Sequence, residues 1–268
     1  MPQFNYDGLS FHYRQQGAGL AFVFQHGLGA DVAQPLSLFA PPEGVRMIAF
    51  DCRAHGETQP VGAPEKLTLA GFADDLSAFL DHLAIDRAVV GGISMGAAVA
   101  LKFARTCADR VLGLIQSRPA WLVGPNYENA ARFSAIAKLL LELGPVRGKQ
   151  AFLHTQTYRS VQAESPDAAA SLCGQFDKAQ AVERAARLER IPLAASVDSM
   201  SDLREIIAPT LVLASRHDPI HPYHFGDAIA QEIPRAEFHE ITAKCICSQM
   251  HADEMQQYIS AFLKRNFL

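Results

Sequence analysis

The stretch RAVVGGISMGAAVALKFARTC, residues 87–107, decides the fold of this 268-residue chain. Its first part, RAVVGG, is a short apolar run of the kind found in strands that are buried on both faces. Its last part, AAVALKFARTC, has the composition of a helix. The sequence therefore predicts a strand and a helix that are joined by a tight turn at Gly92-Ile93-Ser94-Met95-Gly96.

Ser94 lies at the centre of this turn in the pattern G-x-S-x-G, which is typical of serine nucleophiles. The backbone has to bend sharply there, and side chains at positions 92 and 96 would collide with neighbouring elements, so glycine is favoured at both. The turn also places the hydroxyl at the start of a helix, where free N–H groups and the helix dipole favour an oxyanion. We predict that Ser94 is a nucleophile, and a Gly-Ser turn without chemistry is the simpler alternative.

Short apolar runs on both sides of this stretch alternate with helical patterns, which favours βαβ units and a parallel sheet. Helical spacing of apolar residues is clearest at 68–83 and from 252 onward. Asp7-Gly8 is expected to form the turn of an opening hairpin. We predict an α/β fold, a mostly parallel twisted sheet flanked by helices, with strands at residues 4–7, 11–15, 21–25, 45–50, 87–92, 111–116, 210–215 and 236–241.

A long stretch with little strand character separates Ser117 from Thr210. A structureless loop of roughly ninety residues would be unusual in a compact domain, so an inserted helical unit is the better interpretation. Helical patterns at 128–143 and 178–191 support it. We therefore predict an α/β core at 1–118 and 209–268 and a helical cap at 119–208, which is expected to cover the site and select the substrate.

Composition and charge narrow the class of protein. Apolar residues make up 49% of the chain, and its formal net charge is −4 with no basic cluster, so neither nucleic acid nor an anionic membrane is an expected partner. No apolar run approaches the length of about 18 residues that a membrane span needs, and the N-terminus lacks a signal pattern. An odd number of cysteines without paired spacing predicts reduced thiols and a cytoplasmic protein. The cysteines are Cys52, Cys107, Cys173, Cys245 and Cys247.

Two further motifs follow predicted strands upstream of Ser94. The run AFVFQ (21–25) leads into HGLG (26–29), and VRMIAF (45–50) leads into DCRAHG (51–56). Together with G-x-S-x-G, these motifs occupy the first hundred residues in the order and spacing of the α/β-hydrolase superfamily. The chain thus resembles serine-nucleophile esterases and lactonases of that superfamily, which implies the α/β-hydrolase fold.

The resemblance also assigns roles to motif residues. The backbone amides of Leu28 and Met95 would donate hydrogen bonds to the oxyanion, and the loss of one such donor typically raises the barrier by about 3–4 kcal/mol. The other motif residues are expected to support the loops near the nucleophile, partly through charge-assisted hydrogen bonds. These supporting residues are His26, Gly27, Asp51, Arg53, His55, Gly92 and Gly96.

The superfamily places its acid and then its histidine after the serine. Asp218 follows the predicted strand TLVLAS (210–215) and is the expected acid. Relatives carry the histidine a few residues after the last strand, where this sequence has Lys244-Cys245-Ile246 instead. His251, at the start of the last helix, is therefore the predicted base, and a missing or displaced base is the alternative.

These residues predict a cofactor-free hydrolase that cleaves a small carboxylester or lactone through an acyl-enzyme. Its expected partner is a small-molecule substrate, and a homo-oligomer is compatible with the sequence. One alternative is a ligand-binding or signalling module that lacks a working base. The other is a non-hydrolytic enzyme of the same fold, such as a hydroxynitrile lyase or a perhydrolase. Dehalogenases and epoxide hydrolases of this fold use a carboxylate nucleophile, so a serine at this position argues against both.

The sequence argues against a dinucleotide site and against a metal site. No G-x-G-x-x-G follows the first predicted strands, which argues against a dinucleotide enzyme. Two groups of residues have ligands that suit zinc. Prolines interrupt the first group and the second would need further ligands, so no metal is expected at either. The groups are His217, His221 and His224, and Cys245, Cys247 and His251.

Overall fold

The apolar runs of the sequence pair into one eight-stranded sheet in the computed structural model, which describes residues 3–268. The strands are Gln3–Tyr6 (β1), Leu9–Gly17 (β2), Leu20–Gln25 (β3), Val45–Phe50 (β4), Ala88–Ile93 (β5), Val111–Ser117 (β6), Thr210–Ala214 (β7) and Ala236–Glu240 (β8). Their order in the sheet is β1-β2-β4-β3-β5-β6-β7-β8, and β2 pairs antiparallel with both β1 and β4. The remaining pairs are parallel, which confirms the predicted fold class.

Ten α-helices connect and cover the described strands. They are Ala33–Leu38 (α1), Leu69–His82 (α2), Met95–Thr106 (α3), Tyr127–Leu153 (α4), Gln156–Glu164 (α5), Pro166–Cys173 (α6), Ala186–Arg190 (α7), Met200–Arg204 (α8), Tyr223–Glu232 (α9) and Ser248–Phe267 (α10). None of the helices in residues 3–268 combines the length and the apolar character that crossing a membrane requires.

Both faces of the sheet are covered by helices, which explains why the central strands are apolar throughout. All six residues of β5 are buried. The apolar cluster on one face includes side chains of α2 and α3, and the cluster on the other includes side chains of α1 and α10. Because β3, β5, β6 and β7 run parallel, their carboxyl ends lie at the same edge of the sheet, where ligand sites of open α/β folds lie.

Residues 119–208 contain helices and turns but no strand. They contribute all but one member, Ile220, of a separate cluster of buried apolar side chains that runs from Phe133 to Leu188. The first helix, α4, is broken at Gly144, which has a φ of +73° and is followed by Pro145. A positive φ is compatible with glycine but not with a continuing helix, so the predicted helix at 128–143 ends where the sequence suggests.

The second helix predicted in this segment, at 178–191, is only partly correct. Turns occupy most of its first half, and α7 begins only at Ala186. Gln180 has a φ of +54°, which a helix cannot contain. The periodicity of the sequence did not reveal this break, because glutamine is an ordinary helix former.

Phe79 provides a test of the core under α2. Its ring is fully buried and contacts the rings of Phe4, Tyr13 and Phe50. We expect Phe79→Ala to lower the free energy of unfolding by about 3–5 kcal/mol, since a large buried ring leaves a cavity. Urea denaturation measures the change, and Leu141→Ala, at a side chain that is 57% exposed, should change stability by less than about 0.5 kcal/mol. Equal losses in the two variants would contradict this packing.

Candidate active site

Ser94 lies between the end of β5 and the start of α3 in a strained conformation. Its φ is +57° and its ψ is −110°, a region that residues with a side chain rarely adopt. Its amide donates to the carbonyl oxygen of Ser117 at 3.0 Å, and its carbonyl oxygen accepts from the amide of Ala98 at 3.1 Å. Such strain costs about 1–3 kcal/mol and persists only where surrounding contacts enforce it.

The two glycines that flank the turn are required by close backbone approach. A Cβ atom at Gly92 would lie 2.2 Å from the carbonyl carbon of Gly96. A Cβ atom at Gly96 would lie 2.3 Å from the carbonyl oxygen of Gln25, at the end of β3. Any side chain at either position would push the turn away from the sheet, so the G-x-S-x-G pattern has a steric cause here.

The amides of Leu28 and Met95 lie on the two segments that meet at Ser94. Met95 is the first residue of α3, so its N–H has no acceptor within the helix. Within residues 3–268, neither amide N–H donates a hydrogen bond. The Leu28 loop is held by Gln34, whose side-chain oxygen accepts from the amide of Gly27 at 2.7 Å, and by Gln175, whose amide group donates to the Leu28 carbonyl at 3.3 Å.

The loops after β3 and β4 are joined by buried polar contacts. His26 Nε2 accepts from the amide of Cys52 at 3.0 Å, and Nδ1 donates to the carbonyl of Gly27 at 2.8 Å. Burial, only partly opposed by Asp51, lowers the pKa of His26, so the ring is neutral at pH 7. The carboxylate of Asp51 accepts from the amide of Val32 at 2.7 Å and thereby links the same two loops.

Arg53 and His55 lie in the loop after β4 and fix its conformation through buried hydrogen bonds. Arg53 donates to both oxygens of Asp75 on α2, through Nε at 2.7 Å and Nη2 at 2.6 Å, and both side chains are buried. Arg53 also pairs with Asp7 in the turn of the opening hairpin. His55 Nδ1 donates to the carbonyl of Arg53 at 2.7 Å. Bidentate contacts of this kind fix geometry as well as charge.

A cavity of about 190 Å³ lies beside Ser94. From the core it is lined by Ser94, Leu28, Asp218 and the neighbouring side chains His221 and Lys244. The helical segment 119–208 supplies a polar and aromatic wall. That wall includes Trp121, Asn129, Phe133, Asp167 and Ser171.

Asp218 follows β7 and accepts hydrogen bonds from two cationic or imidazole side chains. Its Oδ2 atom lies 3.1 Å from Nε and 2.9 Å from Nη2 of Arg118, and 2.8 Å from Nδ1 of His221. Burial by itself would raise the pKa of Asp218. The opposing effects of His221 and Arg118 prevail, so its pKa falls well below the usual range and the carboxyl group is ionised.

His251 forms no hydrogen bond with Asp218 within residues 3–268, and its role as the base stays a prediction. It lies in the first turn of α10, is fully buried, and donates from Nδ1 to the carbonyl of Thr242 at 2.8 Å. Its Nε2 atom has no hydrogen-bond partner within residues 3–268, and the side chain does not line the cavity beside Ser94. The loop between β8 and α10 turns Lys244 toward the cavity instead.

His221 is a functional candidate that the sequence patterns did not reveal, since they indicated only a possible zinc ligand. It is three residues beyond Asp218, is 8% exposed, and lines the cavity. Burial lowers its pKa, although Asp218 opposes the shift, so the imidazole is neutral at pH 7. Its spacing from the predicted acid was the available signal, since residues three apart in a turn can contact each other.

Lys244 completes the cavity with a positive charge. It forms no ion pair within residues 3–268. Burial and the nearby Arg118 lower the pKa of its ammonium group.

All five cysteines are free thiols, and the described part of the chain contains no group of three or more His, Cys, Asp or Glu side chains that could hold a metal.

The strand order and the strained serine at the end of a central strand define a hydrolase-type α/β protein. A profile of the α/β hydrolase fold matches residues 21–245. The chain therefore belongs to the α/β-hydrolase fold family, and it is a hydrolase of that family.

Individual relatives cover nearly the whole chain. It is 27% identical to the 3-oxoadipate enol-lactonase 1 of Acinetobacter baylyi, over 91% of this chain and 88% of the relative. It is also 27% identical to the putative carbamate hydrolase RutD of Stutzerimonas stutzeri, over 84% of each. Among solved structures, the enol-lactonase from Burkholderia xenovorans LB400 superposes with a TM-score of 0.75 at 25% identity, covering 98% of this chain and 100% of that one.

The burial of His251 predicts a specific loss of stability in acid. Burial, Arg118 and Lys244 outweigh the opposing Thr242 carbonyl and Asp218 and lower its pKa from 6.5 to about 4. Between these values the unfolded chain binds more protons, so the stabilising contribution of the neutral ring is complete above pH 6.5 and is lost as the pH falls toward 4. We expect the wild type to lose about 2–3 kcal/mol more than His251→Asn between pH 7 and pH 4.

Urea titrations of both proteins at a series of pH values measure this difference. Other groups with shifted pKa values are common to the two proteins and cancel in the comparison. Identical slopes of stability against pH would show that His251 titrates as an exposed imidazole does.

Proposed function

We propose that this protein is a serine hydrolase that cleaves a small carboxylester or lactone through an acyl-enzyme on Ser94. The observation that carries the proposal is the strained Ser94 turn, which borders a cavity together with two segments whose Leu28 and Met95 amides donate no hydrogen bond within residues 3–268. A tetrahedral intermediate bears a full negative charge, and unbonded N–H groups at a helix start suit it. The names of the relatives, enol-lactonases and a carbamate hydrolase, favour acyl chemistry of this kind.

The proposed reaction has two halves. The Ser94 Oγ atom bonds to the substrate carbonyl carbon while its proton passes to an imidazole, and the amides of Leu28 and Met95 hold the oxyanion. The ester C–O bond then breaks, and the leaving oxygen takes that proton. In a lactone the leaving alcohol stays attached to the acyl group. Water attacks the acyl-enzyme with the same imidazole as base and releases the acid and the free serine.

The proposed substrate is small because the cavity beside Ser94 is only about 190 Å³. Its wall combines aromatic rings with polar groups of the helical segment 119–208, which we propose acts as a cap that selects the substrate.

Asp218 is the proposed acid of the triad. The position of His251 after the last strand favours it as base, whereas the hydrogen bond to Asp218 favours His221.

The free state of all five cysteines favours a reducing compartment such as the cytoplasm.

Removing the Ser94 hydroxyl tests the proposal. With a short p-nitrophenyl ester, Ser94→Ala should lower kcat by at least about 10³-fold and abolish labelling by a fluorophosphonate. Ser160→Ala is the matched control, because it removes an exposed hydroxyl that does not line the cavity and should leave both readouts unchanged.

Other outcomes would identify the alternatives. A wild-type protein that neither labels nor turns over any ester would be a binding module. Cyanide release from cyanohydrins, or peracid formation from peroxide and a carboxylate, with no ester hydrolysis would place the protein among the non-hydrolytic enzymes of this fold.

A further inference from the structure

We propose that the general base for Ser94 is His221, held by Asp218, and that His251 is a structural residue. The proposal rests on the proposed hydrolase function and names the residue that moves the proton. It starts from one contact: the Nδ1 atom of His221 lies 2.8 Å from Oδ2 of Asp218, and the ring lines the same cavity as Ser94.

The hydrogen bond to Asp218 sets the tautomer of His221. Asp218 is ionised, so it can only accept, and Nδ1 therefore carries the proton. Arg118 Nη2 also lies within hydrogen-bond distance of this nitrogen, at 3.0 Å, and it forms an ion pair with the same carboxylate oxygen at 2.9 Å. We assign the Nδ1 proton to the contact with the ionised carboxylate, which is the shorter one at 2.8 Å. Nε2 is consequently the unprotonated nitrogen, and none of the His221 hydrogen bonds within residues 3–268 involves it. This is the tautomer that a base acting on serine requires.

The acid is also fixed relative to Ser94. The Ser94 amide is hydrogen-bonded to the carbonyl of Ser117. The next residue, Arg118, donates from Nε to Asp218 at 3.1 Å and forms an ion pair with it through Nη2 at 2.9 Å. The arginine backbone is anchored in turn, since its amide donates to the carbonyl of Leu213 at 2.7 Å. The nucleophile, the acid and His221 are therefore tied to the ends of the neighbouring strands β5, β6 and β7.

The charges around His221 keep it neutral before the reaction. Burial has the largest effect and lowers its pKa, and Arg118 and Lys244 act in the same direction. Asp218 opposes them and is placed to stabilise the imidazolium that forms when the proton arrives. A neutral ring beside a fixed carboxylate has the charge state and the partner that a general base requires.

His251 meets neither the positional nor the electrostatic requirement. Its Nδ1–H is bound to the uncharged carbonyl of Thr242, and its pKa of about 4 makes it a weak acceptor of the serine proton. It lies one helical turn before Met255, which is buried on the α10 side of the sheet, where Ser117 Oγ donates to the Met255 sulfur at 3.8 Å. The contacts of His251 are thus those of a core side chain that anchors the start of α10.

In the proposed step, the bond between Ser94 Oγ and its proton breaks as the Oγ–acyl bond forms, and the proton moves to Nε2 of His221. The resulting imidazolium is paired with Asp218. When the C–O bond of the ester breaks, the leaving oxygen takes this proton and restores the neutral ring. A water molecule repeats the cycle in deacylation, so no further reactant is required.

A matched pair of asparagine variants tests the proposal. Asparagine can keep the hydrogen bond of Nδ1 while it removes the basic Nε2, so His221→Asn preserves the Asp218 contact and His251→Asn preserves the Thr242 contact. We expect His221→Asn to lower kcat for a p-nitrophenyl ester by about 10²–10⁴-fold. We expect His251→Asn to retain nearly wild-type kcat at pH 7 and to show only the altered acid stability.

Chemical rescue separates a catalytic from a structural role. In His221→Ala, added imidazole should restore turnover in proportion to its unprotonated fraction, whereas it should have no effect on His251→Ala. Asp218→Asn should lower kcat in the same range as His221→Asn, and the double variant should lose little more, because residues that act as a unit are not additive. Circular dichroism establishes that each variant is folded, and if His221→Asn does not fold, rescue of His221→Ala decides.

The outcomes distinguish this proposal from the function on which it rests. If the wild type is active and depends on Ser94, but His251→Asn is inactive and His221→Asn is active, the assignment of the base is wrong and the hydrolase stands. Activity that survives both histidine variants and disappears in Lys244→Met would likewise overturn it in favour of lysine. If the wild type has no Ser94-dependent activity, both proposals fail together.

Discussion

The approach of three backbone segments at Ser94 is the constraint on which the rest of the site depends. Position 96 can carry no side chain because the end of β3 is in the way, and the Ser94 amide is bound to the end of β6. The serine therefore has one conformation, with a positive φ that the sheet and α3 enforce. Strain of this kind survives because the packing around it is worth far more than the cost of about 1–3 kcal/mol.

Buried ionic groups position the loops around that turn. Asp51, Arg53 and Asp218 are each engaged by donors or carboxylates with short, directed hydrogen bonds. An unpaired charge in these places would be strongly destabilising, so the partners restrict each loop to one geometry. The ion pair of Arg118 with Asp218 holds the carboxylate at the end of β7, where it is also hydrogen-bonded to His221.

The helical segment 119–208 is attached to the core through the same loops. Gln175, Arg184 and Arg187 all donate to backbone carbonyls of the loops that follow β3 and β4. The segment has its own apolar cluster, which allows it to form the far wall of the cavity as a unit. The contacts of this segment therefore also fix the loops after β3 and β4 that shape the site.

The sequence by itself determined the strands, the helices that cover them and the turn at Ser94, because these depend on local periodicity and on glycine at two positions. It did not determine the break at Gln180, where tertiary contacts override an ordinary helix propensity. The sequence also indicated the predicted base, His251, by its position along the chain. Such a position does not show in which direction the side chain points. Only the tertiary structure placed His221 and Asp218 at the cavity beside Ser94 and turned His251 to Thr242, because both arrangements depend on how the loops after β7 and β8 fold against the sheet.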